Sequence, residues 1–145
     1  MGKDELAAVE AAMVRVRRRQ ARRALARAAG STPADDASQQ VLDAVEGASE
    51  PIGVTGIAGA LAVDQPRASK LVAGAVRAGL LRREAAPDDG RRSHLVLTAA
   101  GRSRLAAVHQ HRRDRFAAAM AGWTPGERAT FADLLTRFVD GLDAG

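Results

Sequence analysis

A chain of 145 residues that is 46% hydrophobic is long and apolar enough to bury its own core, which excludes a disordered tail. Its 22 Lys+Arg against 17 Asp+Glu leave a formal charge of +5, which favours nucleic acid or an acidic membrane surface as partner without choosing between them. With no cysteine, disulfides, thiolate metal sites and thiol redox sensing by its own residues are excluded. Charged Lys3, Asp4 and Glu5 open the chain, and no stretch approaches the roughly 18 apolar residues of a membrane span, so the expected location is the cytoplasm.

Residues 4–29 place Leu6, Val9, Met13 and Val16 at i, i+3, i+7 and i+10, the pattern of one long amphipathic helix with Asp4 as its cap and Gly30 as its stop. Its second half holds Arg15, Arg17, Arg18, Arg19, Arg22, Arg23 and Arg27. Arg15, Arg18, Arg19 and Arg22 share a face, and such crowding needs solvent, phosphate or an acidic ligand opposite it. STPADD reads as a turn, after which Val41, Leu42 and Val45 mark a short second helix closed by Gly47, and ASEPIG reads as a loop. In VTGIAGAL, residues 54–61, Ile57, Ala58 and Leu61 fall together on a short helix, which Gly56 and Gly59 weaken by roughly 1 kcal/mol each relative to Ala.

A turn of about three residues, Ala62 to Asp64, leads into a helix on which Ala68, Leu71, Val72, Ala75 and Val76 repeat at i, i+3, i+4, i+7 and i+8. Pro66 disfavours the α conformation at Gln65, so either Gln65 caps a helix starting at Pro66, or Asp64 is the cap. Gly79 suits a left-handed C-cap, with Leu80 folding back on the last turn. LLRREA then reads as a strand, PDDGRR as a turn and RSHLVL as a second strand, with Leu95 and Leu97 on one face and His94 and Val96 on the other. The hairpin tip holds Asp88 to Arg91, making a basic wing. Thr98 caps a long helix to about Ala121, with Leu105, Val108 and Phe116 on its apolar side. Thr124 and Glu127 have capping-box spacing around Pro125, and Phe131, Leu134, Leu135, Phe138, Val139 and Leu142 give the last helix a wide apolar face. Apolar stripes at both ends of a small chain suggest a two-fold partner, although the same helices could close the monomer's own core.

Helix, short turn, helix and basic hairpin form an arrangement in which the second helix can enter a major groove while the hairpin reaches the adjoining minor groove. At 100° per residue, the face of helix 66–78 opposite its apolar stripe presents Pro66, Lys70, Ala73 and Arg77, flanked by Arg67, Ser69 and Gly74. Gln65, Arg67, Ser69 and Lys70 are candidates for base contacts, because Gln pairs with adenine and Arg or Lys with guanine. Arg77 is a candidate for phosphate. A solvated helix face would look the same, and the wing is what favours DNA. His94, His109 and His111 have no carboxylate at metal-motif spacing, and residues 109 and 111 point about 200° apart on a helix. GVTGIAG lacks the G-x-G-x-x-G pattern, and no serine has a nucleophile-elbow context. No enzyme, metal or cofactor is expected.

DDGRRSHLVLTAAG resembles the signature of the MarR family of winged helix-turn-helix transcriptional regulators: an Asp, one residue, an Arg, a strand ending in Leu-Thr, and a helix with Gly. IAGALAVDQPRASKLVAGAVRAGLLRR resembles the same family's helix-turn-helix and its lead into the wing. The resemblance implies an α+β, mainly α fold, a winged helix-turn-helix core with a two-stranded wing flanked by dimerisation helices. It implies a single domain over 1–145, with 37–98 as the DNA-binding lobe and 4–30 and 99–145 as dimerisation helices. Asp89 would orient Arg91 into the minor groove, with Arg92 beside it on DNA, and Thr98 and Gly101 would open the next helix. Pairing with Asp89 limits the rotamers of Arg91, and a narrow A-tract groove attracts its guanidinium. The implied partners are double-stranded DNA with a pseudo-palindromic operator, a second copy of the chain, and a small, often anionic aromatic effector between the dimerisation helices and the lobe. No membrane partner is implied, and repression by occlusion is the default. One departure is Gly53, where many members carry a Ser or Thr cap; its loss softens the first helix of the motif. Thr55 and that helix N-terminus remain candidates for phosphate contact. The competing expectation is a winged-helix module for a protein or RNA, without operator specificity.

Overall fold

The computed structural model describes the backbone of residues 2–30, 33–86 and 89–145; the side chains of 27, 28, 30, 33–36, 86 and 89–92 lie outside the description. In chain order the elements are α1 (Lys3–Gly30), α2 (Pro33–Gly47), α3 (Val54–Leu61), α4 (Gln65–Arg77), β1 (Leu81–Ala86), β2 (Asp89–Leu97), α5 (Ala99–Ala119) and α6 (Pro125–Asp143). This is the mainly α winged-helix arrangement expected from the sequence. Two compact units are present, residues 1–102 and 103–145, with the boundary inside α5. No described helix is long and apolar enough to cross a membrane.

The core of the first unit lies where α2, α3, α4 and the hairpin meet. Val41 and Leu42 of α2, Ile57 of α3, Ala68, Val72 and Ala75 of α4, Leu80, and Leu81 and Leu95 of the hairpin are all buried. Each fully buried Leu, Ile or Val contributes about 1.5–3 kcal/mol relative to its exposed state. That packing holds α3, whose two glycines and missing side-chain cap at Gly53 leave it little intrinsic helicity. The helical spacing on α4 selects the buried side as expected: Leu71 and Val76 are half-buried beside Ala68, Val72 and Ala75.

Several boundaries differ from the sequence expectations. Asp4 lies within the first turn of α1, which begins at Lys3, so it is not the cap. Most of the STPADD segment is helical from Pro33 onward, because a proline needs no intrahelical donor in a first turn. Residues 31 and 32 lie outside the description. Asp64 is the cap of α4, accepting the Arg67 N–H at 2.8 Å, and Gln65 is already helical with Pro66 behind it. The first strand is shifted by one residue at equal length, whereas the second is longer than expected: Asp89 to Arg92 belong to β2, where a turn was expected, so Asp89 and Arg91 sit on a strand. Positions 87 and 88 lie outside the description.

The hairpin is antiparallel, with Leu81 opposite Leu97, Arg83 opposite Leu95 and Glu84 opposite His94, and a register shift between Ala85 and Ala86. A backbone contact absent from the sequence reading extends it: the Leu95 N–H donates to the Ile52 carbonyl at 2.8 Å, tying the loop before α3 to β2. Gly53 benefits from this approach, since a Cβ there would lie 3.0 Å from the Ser93 carbonyl oxygen. The family's Ser or Thr at this position therefore has little room here.

Gly79 adopts φ +76°, and the Leu80 N–H reaches back to the Ala75 carbonyl at 3.1 Å, the expected left-handed ending of α4. Thr98 then joins three elements. Its hydroxyl donates to the Gly79 carbonyl at 2.6 Å and accepts from the Gly101 N–H at 3.0 Å, while its own N–H donates to the Leu80 carbonyl at 3.1 Å.

In the second unit Leu105 is buried, whereas Phe116 on the same helix is exposed. The capping box of α6 is complete: the Glu127 N–H donates to the Thr124 hydroxyl at 3.1 Å, and the Thr124 N–H to the Glu127 carboxylate at 2.8 Å. Hydrogen bonding to Thr124, first to its backbone N–H and then to its side chain, holds the Glu127 carboxyl below its ordinary value. Trp123 meets Phe131 edge to face at 5.3 Å. Phe131, Leu134, Leu135, Val139 and Leu142 are nevertheless exposed in the single chain, as are Leu6, Val9, Met13 and Val16 of α1.

Candidate nucleic-acid interface

The face of α4 opposite its buried side carries the expected residues. Gln65, Pro66, Arg67, Ser69, Lys70 and Arg77 are all exposed, with Ala73 and Gly74 half-buried between them. This separation follows from the helical period: positions 68, 72 and 75 are drawn into the core, which turns 66, 70 and 77 outward. The helix is fixed at its N-terminus by the Asp64 carboxylate and at its C-terminus by Gly79, so the basic face sits on a rigid element.

Thr55, at the start of α3, is exposed and joined to this face: the Gln65 Nε2–H donates to the Thr55 hydroxyl at 3.3 Å. Sequence spacing did not indicate that bond. The α3 to α4 turn is tight because Ala62 takes a left-handed conformation, φ 54° and ψ 47°, with the Val63 N–H bonded to the Ala58 carbonyl at 3.0 Å. An alanine in that region is strained.

On the wing, β2 carries Asp89, Arg91 and Arg92 on its backbone, but their side chains, and with them the expected pairing of Asp89 with Arg91, lie outside the description. Its partner β1 adds two residues that the sequence reading passed over, Arg82 and Glu84. Arg82 donates through Nη2 at 2.7 Å and Nε at 2.9 Å to Glu84 Oε1, while His94 Nε2 lies 3.7 Å from Glu84 Oε2. Residues 82 and 84 share a face of β1, and 94 is the cross-strand partner of 84. Alternation along the strand was the available signal. The half-buried Glu84 thus offsets one of the two β1 arginines, Arg82, while Arg83 is exposed beside it.

Chemically, the surface offers guanidinium and ammonium donors, an amide and a hydroxyl on an exposed helix, suited to an anionic, hydrogen-bonding partner. Among the described residues no group of three or more His, Asp or Glu is placed to hold a metal ion.

Comparison with known proteins agrees with this architecture. The model of the MarR family matches residues 36–92, which span most of α2, all of α3, α4 and β1, and the start of β2. None of the curated proteins matches the sequence. Among solved structures, a protein from Pseudomonas aeruginosa PA01 described as a transcriptional regulator is 26% identical, with a TM-score of 0.69 over 97% of this chain and 98% of that one. A MarR family transcriptional regulator from Silicibacter pomeroyi is 27% identical over 72% of this chain and 70% of its own, with a TM-score of 0.52. A MarR family protein from Bacillus stearothermophilus is only 16% identical but has a TM-score of 0.73 and covers 99% of both chains, a likeness of fold. The MarR family model thus matches the winged-helix segment, residues 36–92, and over nearly its whole length the chain has the fold seen in a MarR family protein and in a transcriptional regulator.

Proposed function

We propose that this protein is a sequence-specific DNA-binding repressor acting in the cytoplasm, a homodimer that occupies a pseudo-palindromic operator. The exposed face of α4 carries the proposal: Gln65, Arg67, Ser69 and Lys70 stand at its N-terminal end and Arg77 at the other, on a helix whose opposite side is locked in the core. In this reading α4 enters the major groove, the first four of these residues meet base edges, Pro66 permits close approach and Arg77 binds phosphate. The wing follows the groove wall to place Arg91 in the minor groove, with Asp89 limiting its rotamers and Arg92 on the backbone.

Dimerisation is supported by the exposed apolar stripes of α1 and α6, which water disfavours and a two-fold copy can cover. A dimer places two reading heads on half-sites about one helical turn apart. A small anionic aromatic effector would release the operator by preferring a dimer whose heads are spaced differently, and full switching takes several kcal/mol of differential affinity. This part of the proposal rests on the family resemblance.

Selection of bound genomic fragments, followed by competition with excess random duplex, tests the reading. A regulator retains its preferred pseudo-palindrome against competitor. Equal binding to all duplexes would refute operator specificity and leave a winged-helix module for a protein or RNA.

A further inference from the structure

Gln65 and Thr55 stand on different helices and both are exposed, yet the Gln65 amide donates to the Thr55 hydroxyl at 3.3 Å. A free glutamine on a helix surface populates many rotamers, and fixing one costs free energy when a ligand arrives. Here the side chain is restrained at both ends. At its base, Gln65 is the first residue of α4, held between the Asp64 cap and Pro66, whose ring sets the following φ. At its tip, Thr55 takes one of the two amide N–H groups. The second N–H and Oε1 remain, a donor beside an acceptor. The major-groove edge complementary to that pair is adenine, with N7 accepting and N6 donating.

We infer that Thr55 is a positioning residue that sets the Gln65 amide for adenine, acting through Gln65 and not by gripping phosphate itself. The inference rests on the DNA-binding reading above. It also gives the helix-turn-helix turn a role in specificity, because Thr55 and Gln65 meet only if the strained turn at Ala62 brings α3 back against α4.

The test uses the full-length protein as wild type, Gln65→Ala, Thr55→Val and Thr55→Ser, with affinities measured for the selected site, for that site with each base substituted, and for random duplex. Gln65→Ala locates the base pair read by Gln65 as the position whose preference it abolishes. Thr55→Val, equal in size but lacking the acceptor, is expected to lose about three- to tenfold of the adenine preference at that same position, beyond any loss on random duplex, as for freeing one long side chain. Thr55→Ser is expected to keep the preference. If Thr55→Val weakens all duplexes by one common factor, Thr55 is a phosphate contact and the inference is overturned; an intact adenine preference, or a Gln65→Ala that shifts no base, also overturns it. A wild type that distinguishes no sequence defeats the sequence-specific reading on which the inference rests, a different result from a preference that Thr55→Val leaves untouched.

Discussion

Gly101→Ala is expected to lower the stability of the protein by about 2 kcal/mol. A Cβ at this position would run into the Leu80 carbonyl oxygen, and would lie 3.2 Å from the Leu80 carbonyl carbon and 3.4 Å from Leu97 Cδ2. The obstacle is backbone that cannot easily move. The Leu80 carbonyl accepts the Thr98 N–H at 3.1 Å, and the Leu80 N–H is bound to the Ala75 carbonyl at 3.1 Å. Overpacking against fixed atoms costs about 1–3 kcal/mol. Displacing the carbonyl also weakens the Thr98 hydrogen bond, for about 0.5–1.5 kcal/mol. Against this, Ala is favoured over Gly in a helix by up to about 1 kcal/mol. The overcrowding therefore wins. Equilibrium urea unfolding followed by circular dichroism, at one protein concentration because the midpoint of the proposed dimer would depend on it, would read the loss as a midpoint lower by about 1 M. Gly59→Ala is the control, since nothing lies within 4 Å of a Cβ there, and it should stabilise by up to about 1 kcal/mol. A Gly101→Ala protein that unfolds at or above the wild-type midpoint, beside a normal control, would refute the packing described where α4, the wing and α5 join.

Ala62→Gly should stabilise by about 0.5 kcal/mol in the same assay, because relief of left-handed strain exceeds the added entropy of the unfolded glycine. Gly53→Ser should fail to deliver the roughly 1 kcal/mol that a helix cap ordinarily contributes, since its Cβ would sit 3.0 Å from the Ser93 carbonyl oxygen; a full gain in the melting temperature would contradict that crowding. The depressed Glu127 carboxyl contributes stability above its unfolded-state pKa and loses it as pH falls through the folded-state value. A stability difference between wild type and Glu127→Gln should thus be open at neutral pH and close on acidification, and one that widened instead would contradict the capping box. Arg91→Ala should weaken operator binding by roughly 1–3 kcal/mol while the protein stays folded and dimeric, checked by fluorescence anisotropy; unchanged affinity would remove the wing from the proposed mechanism.

Legibility followed range. The apolar spacing on α4 named Ala68, Val72 and Ala75, and all three are buried, because a helix of fixed period can show the core only one side. The Thr124 and Glu127 capping box and the Gly79 ending were equally readable, each being a contact within one turn. The start of α2 was misread because turn-forming residues also suit a helix N-terminus, and the wing turn was drawn too wide because Asp, Gly and Arg do not advertise strand. Of the proposed DNA-contacting set, the exposure of the α4 residues followed from the same periodicity that marked the core, since exposed and buried faces are one pattern.

By itself, the sequence determined which segments are helical, which side of α4 is basic and outward, and that a basic hairpin follows it, all consequences of spacing along a single element. Tertiary structure alone decided that Ile52 pairs with Leu95, that Gly53 lies under the Ser93 carbonyl, that Gly101 meets Leu80 and that Thr55 reaches Gln65. Those contacts join residues on different elements through loops that carry no periodic signal. Their geometry is set only once the core has fixed where each element begins and ends.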